Sequence, residues 1–189
     1  PGALHVLLVD NDSAAAGRSE AGLHARLGER VRVWQAPSLA QAIRMLLERA
    51  FDAVVIDLEL DDATGIASLA GIRGAAPGVP VLVYTRHLDD ALALRALRAG
   101  AHECLDKRDT APEALARMLA FALERQRRIA TLEAARNEAA HRATHDPLTG
   151  LANRALFIDQ LDRALAYGAR YNRKTGLLFI DLDGFKSVN

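Results

Sequence analysis

Cysteine is nearly absent: Cys104 stands alone among 189 residues, so no internal disulfide can form and no cysteine-paired zinc site can be built, which suits a reducing compartment. Net charge is absent too, because 24 basic residues balance 24 acidic ones. No overall field then draws the chain to nucleic acid or to an anionic membrane, and any phosphate binding must be local. No apolar run approaches the roughly 20 residues that span a bilayer. The opening "PGALHVLLVD" lacks the basic lead and cleavage site of a signal peptide, so the expected location is the cytoplasm, with neither membrane nor nucleic acid as a partner. What the chain has in quantity is hydrophobic residues, 50% of the total, enough to bury a sizeable core.

Five short β-type runs alternate with Ala- and Leu-rich helical stretches: "LHVLLV" (4–9), "VRVWQ" (31–35), "DAVVI" (52–56), "PVLVY" (80–84) and "HECL" (102–105). Near-continuous Val, Leu and Ile strands in β/α alternation predict a doubly wound parallel sheet covered on both faces, about 120 residues long. Pro37-Ser38 opens a helix, 74–80 is a loop, and Asp109 or Thr110 is a candidate N-cap ahead of Pro112. From Glu113 to about Arg142 there is neither Gly nor Pro, which predicts one helix of about 45 Å at 1.5 Å per residue. Leu115, Met118, Ala122, Arg125, Ile129, Leu132, Arg136 and Ala139 form a heptad-like seam on it, compatible with either a solvated connecting helix or a parallel dimeric coiled coil. A further helix is expected from about Leu156 to Tyr167, then a buried strand over Leu177–Ile180.

Ligands of parallel α/β sheets bind at the carboxyl ends of the strands. Polar residues stand there after four of the five runs: Asp10, Asn11 and Asp12, then Asp57, Thr85, and Asp106 with Lys107. Carboxylates so grouped repel unless a cation sits among them, and Mg²⁺ suits an all-oxygen site. An aspartate beside it can attack a phosphoryl group, while a lysine and a hydroxyl hold the phosphate oxygens. Asp10, Asp12 and Ser13 are equally open to capping the first helix. Cys104 and Trp34 read as packing residues.

In these positions the sequence resembles the receiver domain of two-component response regulators, the flavodoxin-like fold with strand order 2-1-3-4-5, over residues 1–124. "VVIDLELDDATG" carries Asp57, "VLVYTRH" supplies Thr85, and "AGAHECLDK" supplies Lys107. The resemblance implies that Asp57 accepts phosphate from a histidine kinase or phosphotransfer protein. It also implies that Mg²⁺ is held by Asp10, Asn11, Asp57 and the Glu59 carbonyl, and that Thr85 and Lys107 sense the phosphoryl group. The sequence departs from the family at Asn11, where a second acid is usual, and at Asp61, Arg86, Cys104 and Arg108. Asp12 is not expected to substitute for the missing acid, because a shift of one residue points it elsewhere.

"HDPLTGLANR" (145–154) and "FIDLDGFKSVN" (179–189) resemble the beginning of a GGDEF diguanylate cyclase domain, which would occupy 145–189 after a helical linker at 113–144. By motif position the resemblance implies Asp181 as a Mg²⁺ ligand, Phe185 and Lys186 in the nucleotide phosphate pocket, and Asn189 on the guanine edge. Asp183 reads as a supporting acid, and Asp146, Asn153 and Arg154 as ties between linker and domain. The Gly-Gly-Asp/Glu-Glu-Phe hairpin does not occur within the 189 residues. The expectation is therefore a piece of a longer protein, inactive by itself as a cyclase, with an EAL domain a possible continuation.

Two functions compete. One is a phosphorylation-controlled diguanylate cyclase that converts GTP to cyclic di-GMP, dimerising through receiver and linker helix. The other is a phosphate-independent docking or dimerisation module joined to a degenerate cyclase-like domain. A flavodoxin-like cofactor enzyme fits the fold alone and lacks a phosphate-cradling glycine loop after the first strand.

Overall fold

The computed structural model describes residues 3–180 and divides into two compact units, 1–130 and 131–189. In the first unit five parallel strands, β1 (Leu4–Val9), β2 (Val31–Ala36), β3 (Ala53–Ile56), β4 (Val81–Thr85) and β5 (Glu103–Asp106), form one sheet in the order β2-β1-β3-β4-β5. Helices α1 (Ser13–Leu27), α2 (Leu39–Glu48), α3 (Ile66–Ala75) and α4 (Asp90–Arg98) connect them, and α5 (Pro112–Thr144) comes after the last strand. The five expected strands therefore appear within a residue or so of their sequence positions, in the expected order.

Alternation along the strands divides the core in two, because successive side chains point to opposite faces. Leu7, Val9, Val54, Ile56, Val81 and Val83 pack with Ala42, Leu69, Ile72 and Ala96 of α2, α3 and α4. Val6, Leu8, Val55, Leu82 and Tyr84 pack with Ala16 and Leu23 of α1 and with Leu115, Ala116, Leu119 and Ala122 of α5. The first turns of the long helix are thus core elements of the receiver-like unit. This revises the heptad seam: Leu115 and Ala122 are spent on the internal core, while Ile129 and Leu132 are 42% and 70% exposed.

Caps explain the helix starts. The Asp12 carboxylate accepts from the Ala14 and Ala15 amides and caps α1, which settles the choice among Asp10, Asp12 and Ser13. Ser38 caps α2 as expected. Helix α5 begins directly at Pro112, so neither Asp109 nor Thr110 is its cap; both of their amides turn back to the Asp106 carbonyl instead. Trp34 packs against the first core layer, with the Arg49 guanidinium 3.9 Å from its ring centroid.

In the second unit α5 ends at Thr144, a turn intervenes, and α6 runs over Arg154–Tyr171, longer at both ends than the sequence suggests. Leu177–Ile180 forms no strand and is exposed, against the expectation of a buried one. A strand exists only through ladder bonds to a neighbour, and no strand of a second sheet is present among the described residues to supply them.

Candidate functional site

The β-strands deliver their polar ends to one edge of the sheet. Asp10 follows β1, Asp57 follows β3, Thr85 closes β4, and Lys107 follows β5. All four are largely withdrawn from water: Asp10 and Asp57 are 5% and 6% exposed and Thr85 is fully buried, while the Lys107 side chain is 9% exposed. The Lys107 Nζ lies 2.7 Å from Asp10 Oδ2 and 2.5 Å from Asp57 Oδ2, bridging the two carboxylates. Thr85 Oγ1 donates to Asp57 Oδ1 at 2.7 Å, and the Glu59 amide donates to the same oxygen at 2.9 Å. Asp10 Oδ1 accepts from the Asp12 amide at 3.0 Å.

Two carboxylates this close repel, and the shared ammonium offsets the repulsion where little water can screen it. Thr85 and Lys107 also fix both Asp57 oxygens in place. A carboxylate held this way has the chemistry a nucleophile toward phosphorus needs, with a hydroxyl and an ammonium at hand for charge that develops beside it.

Beside this cluster opens a recess of about 250 Å³ lined by Asn11, Asp12, Asp57, Glu59 and Arg86. The Asn11 Nδ2 donates to Asp61 Oδ1 at 2.8 Å, so two of the residues that depart from the family pattern engage each other. Arg86, a third departure, forms an ion pair with Asp12. His87 Nδ1 stands 2.7 Å from Oε1 of Glu59, one of the recess residues. The sequence flagged Arg86 only as an unusual neighbour of Thr85. Its pairing with Asp12, 74 residues away, has no local sequence signal.

A cation placed between the cluster and the recess would meet oxygen donors: the Asp10 and Asp57 carboxylates stand together on Lys107, and Asn11 and Glu59 line the recess beside Asp57. That chemistry fits Mg²⁺ and does not suit a thiophilic metal. Among the described residues no group of three or more His, Cys, Asp or Glu side chains stands together as a metal cluster. Two carboxylates, Asp10 and Asp57, stand together there, while Asn11 is neutral and Asp12 is turned to α1 and Arg86.

Several titrating groups nearby are displaced from their ordinary values. Hydrogen bonding from the Ala15 amide, with help from Arg86, holds the Asp12 carboxyl below the usual range. The Arg108 side chain holds Asp106 down to about 2. Burial pushes the Cys104 thiol up to about 11. Cys104 packs against the core, as its reading as a packing residue expects.

In the second unit "HDPLTGLANR" builds a helix-joining turn. Asp146 accepts from the Leu148 and Thr149 amides and the Thr149 hydroxyl, and the Thr149 amide chiefly holds its carboxyl below the ordinary range. The Gly150 amide returns to the Asp146 carbonyl, with Gly150 at φ 69°, a conformation that favours glycine. Asn153 caps α6 through the Leu156 amide and donates to the Ala143 carbonyl. Asn153 therefore bridges the linker helix and α6, while the bonds of Asp146 stay within the turn between them. His141 and His145 stack at 4.0 Å between centroids. Asp181, Asp183, Phe185, Lys186 and Asn189 lie outside the described residues.

Known proteins resemble both parts of the chain. The model of the response regulator receiver domain matches residues 6–120, and that of the diguanylate cyclase GGDEF domain matches 143–189. The transcriptional regulatory protein ZraR of Escherichia coli O157:H7 is 34% identical over 104 residues, 55% of this chain and 23% of that protein. The bifunctional diguanylate cyclase/cyclic di-GMP phosphodiesterase MucR of Pseudomonas aeruginosa is 46% identical over 59 residues, 31% of this chain and 9% of that protein. The chain thus spans about a quarter or less of these relatives. A receiver domain crystal structure from Methanospirillum hungatei superposes with a TM-score of 0.60 at 21% identity, covering 67% of this chain and 98% of that one. Among the described residues no helix is long and apolar enough to cross a membrane.

Proposed function

Because the chain belongs to the response regulator receiver family, we propose that Asp57 is its phosphoacceptor and that phosphorylation controls a cyclase output. The observation that carries this reading is the double hold on Asp57, by Thr85 Oγ1 on one oxygen and Lys107 Nζ on the other. Asp57 attacks the phosphorus of a phosphohistidine on a histidine kinase or phosphotransfer protein. The phosphorus–nitrogen bond breaks as the acyl phosphate forms, and the electron pair leaves with the imidazole. Thr85 and Lys107 then exchange carboxylate oxygens for phosphoryl oxygens, and that exchange is the signal. Mg²⁺, held by Asp10, Asp57, the Asn11 amide oxygen and the Glu59 carbonyl, would supply charge neutralisation for the incoming phosphoryl group.

The GGDEF segment makes the output a cyclase in the longer protein, in which two GTP molecules give cyclic di-GMP. There Asp181 would hold metal, Phe185 and Lys186 the phosphates, and Asn189 the guanine. Two such domains must meet, so the protein acts as a homodimer through receiver and linker helix, in the cytoplasm where GTP is available. The exposed Ile129 and Leu132 of α5 support a second copy as partner.

Intact mass after incubation with Mg²⁺ and acetyl phosphate tests the reading. A metal-dependent phosphoryl adduct is expected, absent in Asp57→Asn. The neutral Asn11 favours a second reading, a docking module that works without phosphate. Folded wild-type protein that takes up no phosphoryl group would establish that reading and sink the first.

A further inference from the structure

A second cavity, of about 210 Å³, shares Arg86 with the recess and is lined by residues of α1, the end of β4 and the start of α5. Its polar lining is Arg18, Arg86, Lys107 and Arg108, with Ser19 and the Tyr84 ring, and no acidic side chain is among its lining residues. Four cations facing one cavity are unusual in a chain whose net charge is zero. Three have acidic partners outside it: Asp12 for Arg86, Asp10 and Asp57 for Lys107, and Asp106 for Arg108. Arg18 makes no ion pair among the described residues. Pro112, the first residue of the 33-residue α5, also lines the cavity, so the positive end of a long helix adds to the field. Glu113, Asp10 and Asp106 are close enough to bear on the Tyr84 hydroxyl, but none lines the cavity.

We propose that this cavity is a second anion site that seats a phosphate or diphosphate group. Guanidinium forks match phosphate oxygens two at a time, and three of the four cations are arginines. At about 210 Å³ the cavity is below the roughly 300–1,000 Å³ of a pocket that engulfs a drug-sized molecule, so it seats the phosphate end and leaves any remainder outside. Arg86 lines both this cavity and the Asp57 recess, and Lys107 lines this one while holding Asp57. An anion here therefore competes for Lys107, the cation that holds Asp57, and slows phosphoryl uptake. That coupling rests on the role given to Asp57 above; the binding does not.

The test is a titration of the full chain with pyrophosphate in EDTA, monitored through amide resonances. Saturable shifts at Ser19, Tyr84 and Arg108 are expected, with affinity reduced at least about tenfold in Arg18→Glu and similarly in Arg108→Gln, both exposed positions that leave the core intact. Absence of saturation, indifference to both variants, or shifts confined to the Asn11 and Glu59 loops would overturn the site. Replacing pyrophosphate by ADP separates the sources: equal affinity identifies free diphosphate chemistry, and tighter ADP binding identifies a nucleoside-bearing ligand. Acetyl phosphate labelling of Asp57 at saturating pyrophosphate should slow severalfold. An unchanged rate, in protein that does become labelled, removes the coupling and leaves the binding site standing.

Discussion

Leu7, Leu8 and Val9 in the first unit are at most 2% exposed, whereas Leu177, Leu178, Phe179 and Ile180 in the second are 58–87% exposed. Both runs are apolar and of strand-like composition. The first has β2 and β3 beside it and helices over both faces; the second has no strand beside it among the described residues. Apolar composition is therefore only a tendency, and a strand needs partners for its backbone and cover for its side chains. Helix α5 repeats the lesson within one element, since Leu115 and Leu119 are fully buried and Leu132 is 70% exposed.

The largest effect should separate the two parts of that helix. Leu119→Ala removes a fully buried side chain and should cost about 3 kcal/mol in urea denaturation of the first unit. In dilute, monomeric protein Leu132→Ala should stay within about 0.5 kcal/mol. Equal losses there would break the comparison, whereas a Leu132→Ala loss that grows with protein concentration would place Leu132 on the seam of the proposed homodimer. Next comes the contact of α1 with the start of α5. A Cβ on Gly22 would lie 2.5 Å from the Pro112 carbonyl carbon, so Gly22→Ala should destabilise by about 2 kcal/mol. Gly17→Ala, with nothing within 4 Å, should instead stabilise by about 0.5 kcal/mol.

A smaller effect belongs to the second unit. Asn153→Ala removes the α6 cap and should cost about 1 kcal/mol, seen as faster amide exchange in α6 with the urea midpoint of the first unit unmoved. The smallest concerns pH. Because Arg108 depresses the Asp106 carboxyl to about 2, the stability that pair contributes is present above the ordinary carboxylate range and is lost as pH falls toward about 2. In Arg108→Ala the midpoint of the Asp106 carbon resonance should rise from about 2 toward the ordinary value of 3.8, held back by the backbone amide of residue 108 that still donates to the carboxylate. A midpoint that stays near 2 would show that the backbone amide of residue 108 is enough.

The receiver-like fold was readable because its signals are local and repeated. Each strand announces itself as a short apolar run, and four of the five carboxyl ends carry polar residues at or just past the strand's last position. That alone places Asp10, Asp57, Thr85 and Lys107 on one sheet edge. The second unit was less readable because its expected strand depends on neighbours in a sheet.

By itself the sequence determined the five-strand alternation, the long Gly- and Pro-free helix and the identity of the residues at the strand ends, since periodicity and backbone chemistry act over a few residues. Only the tertiary structure decided that Lys107 bridges Asp10 and Asp57, that Asn11 engages Asp61, that Arg86 pairs with Asp12, and that four cations meet around one cavity. The three pairings join residues 50 to 97 positions apart, and the cavity brings Arg18 to Arg108 across 90 positions. Charge attracts whatever the fold brings within a few ångströms, and sequence separation carries no information about that distance.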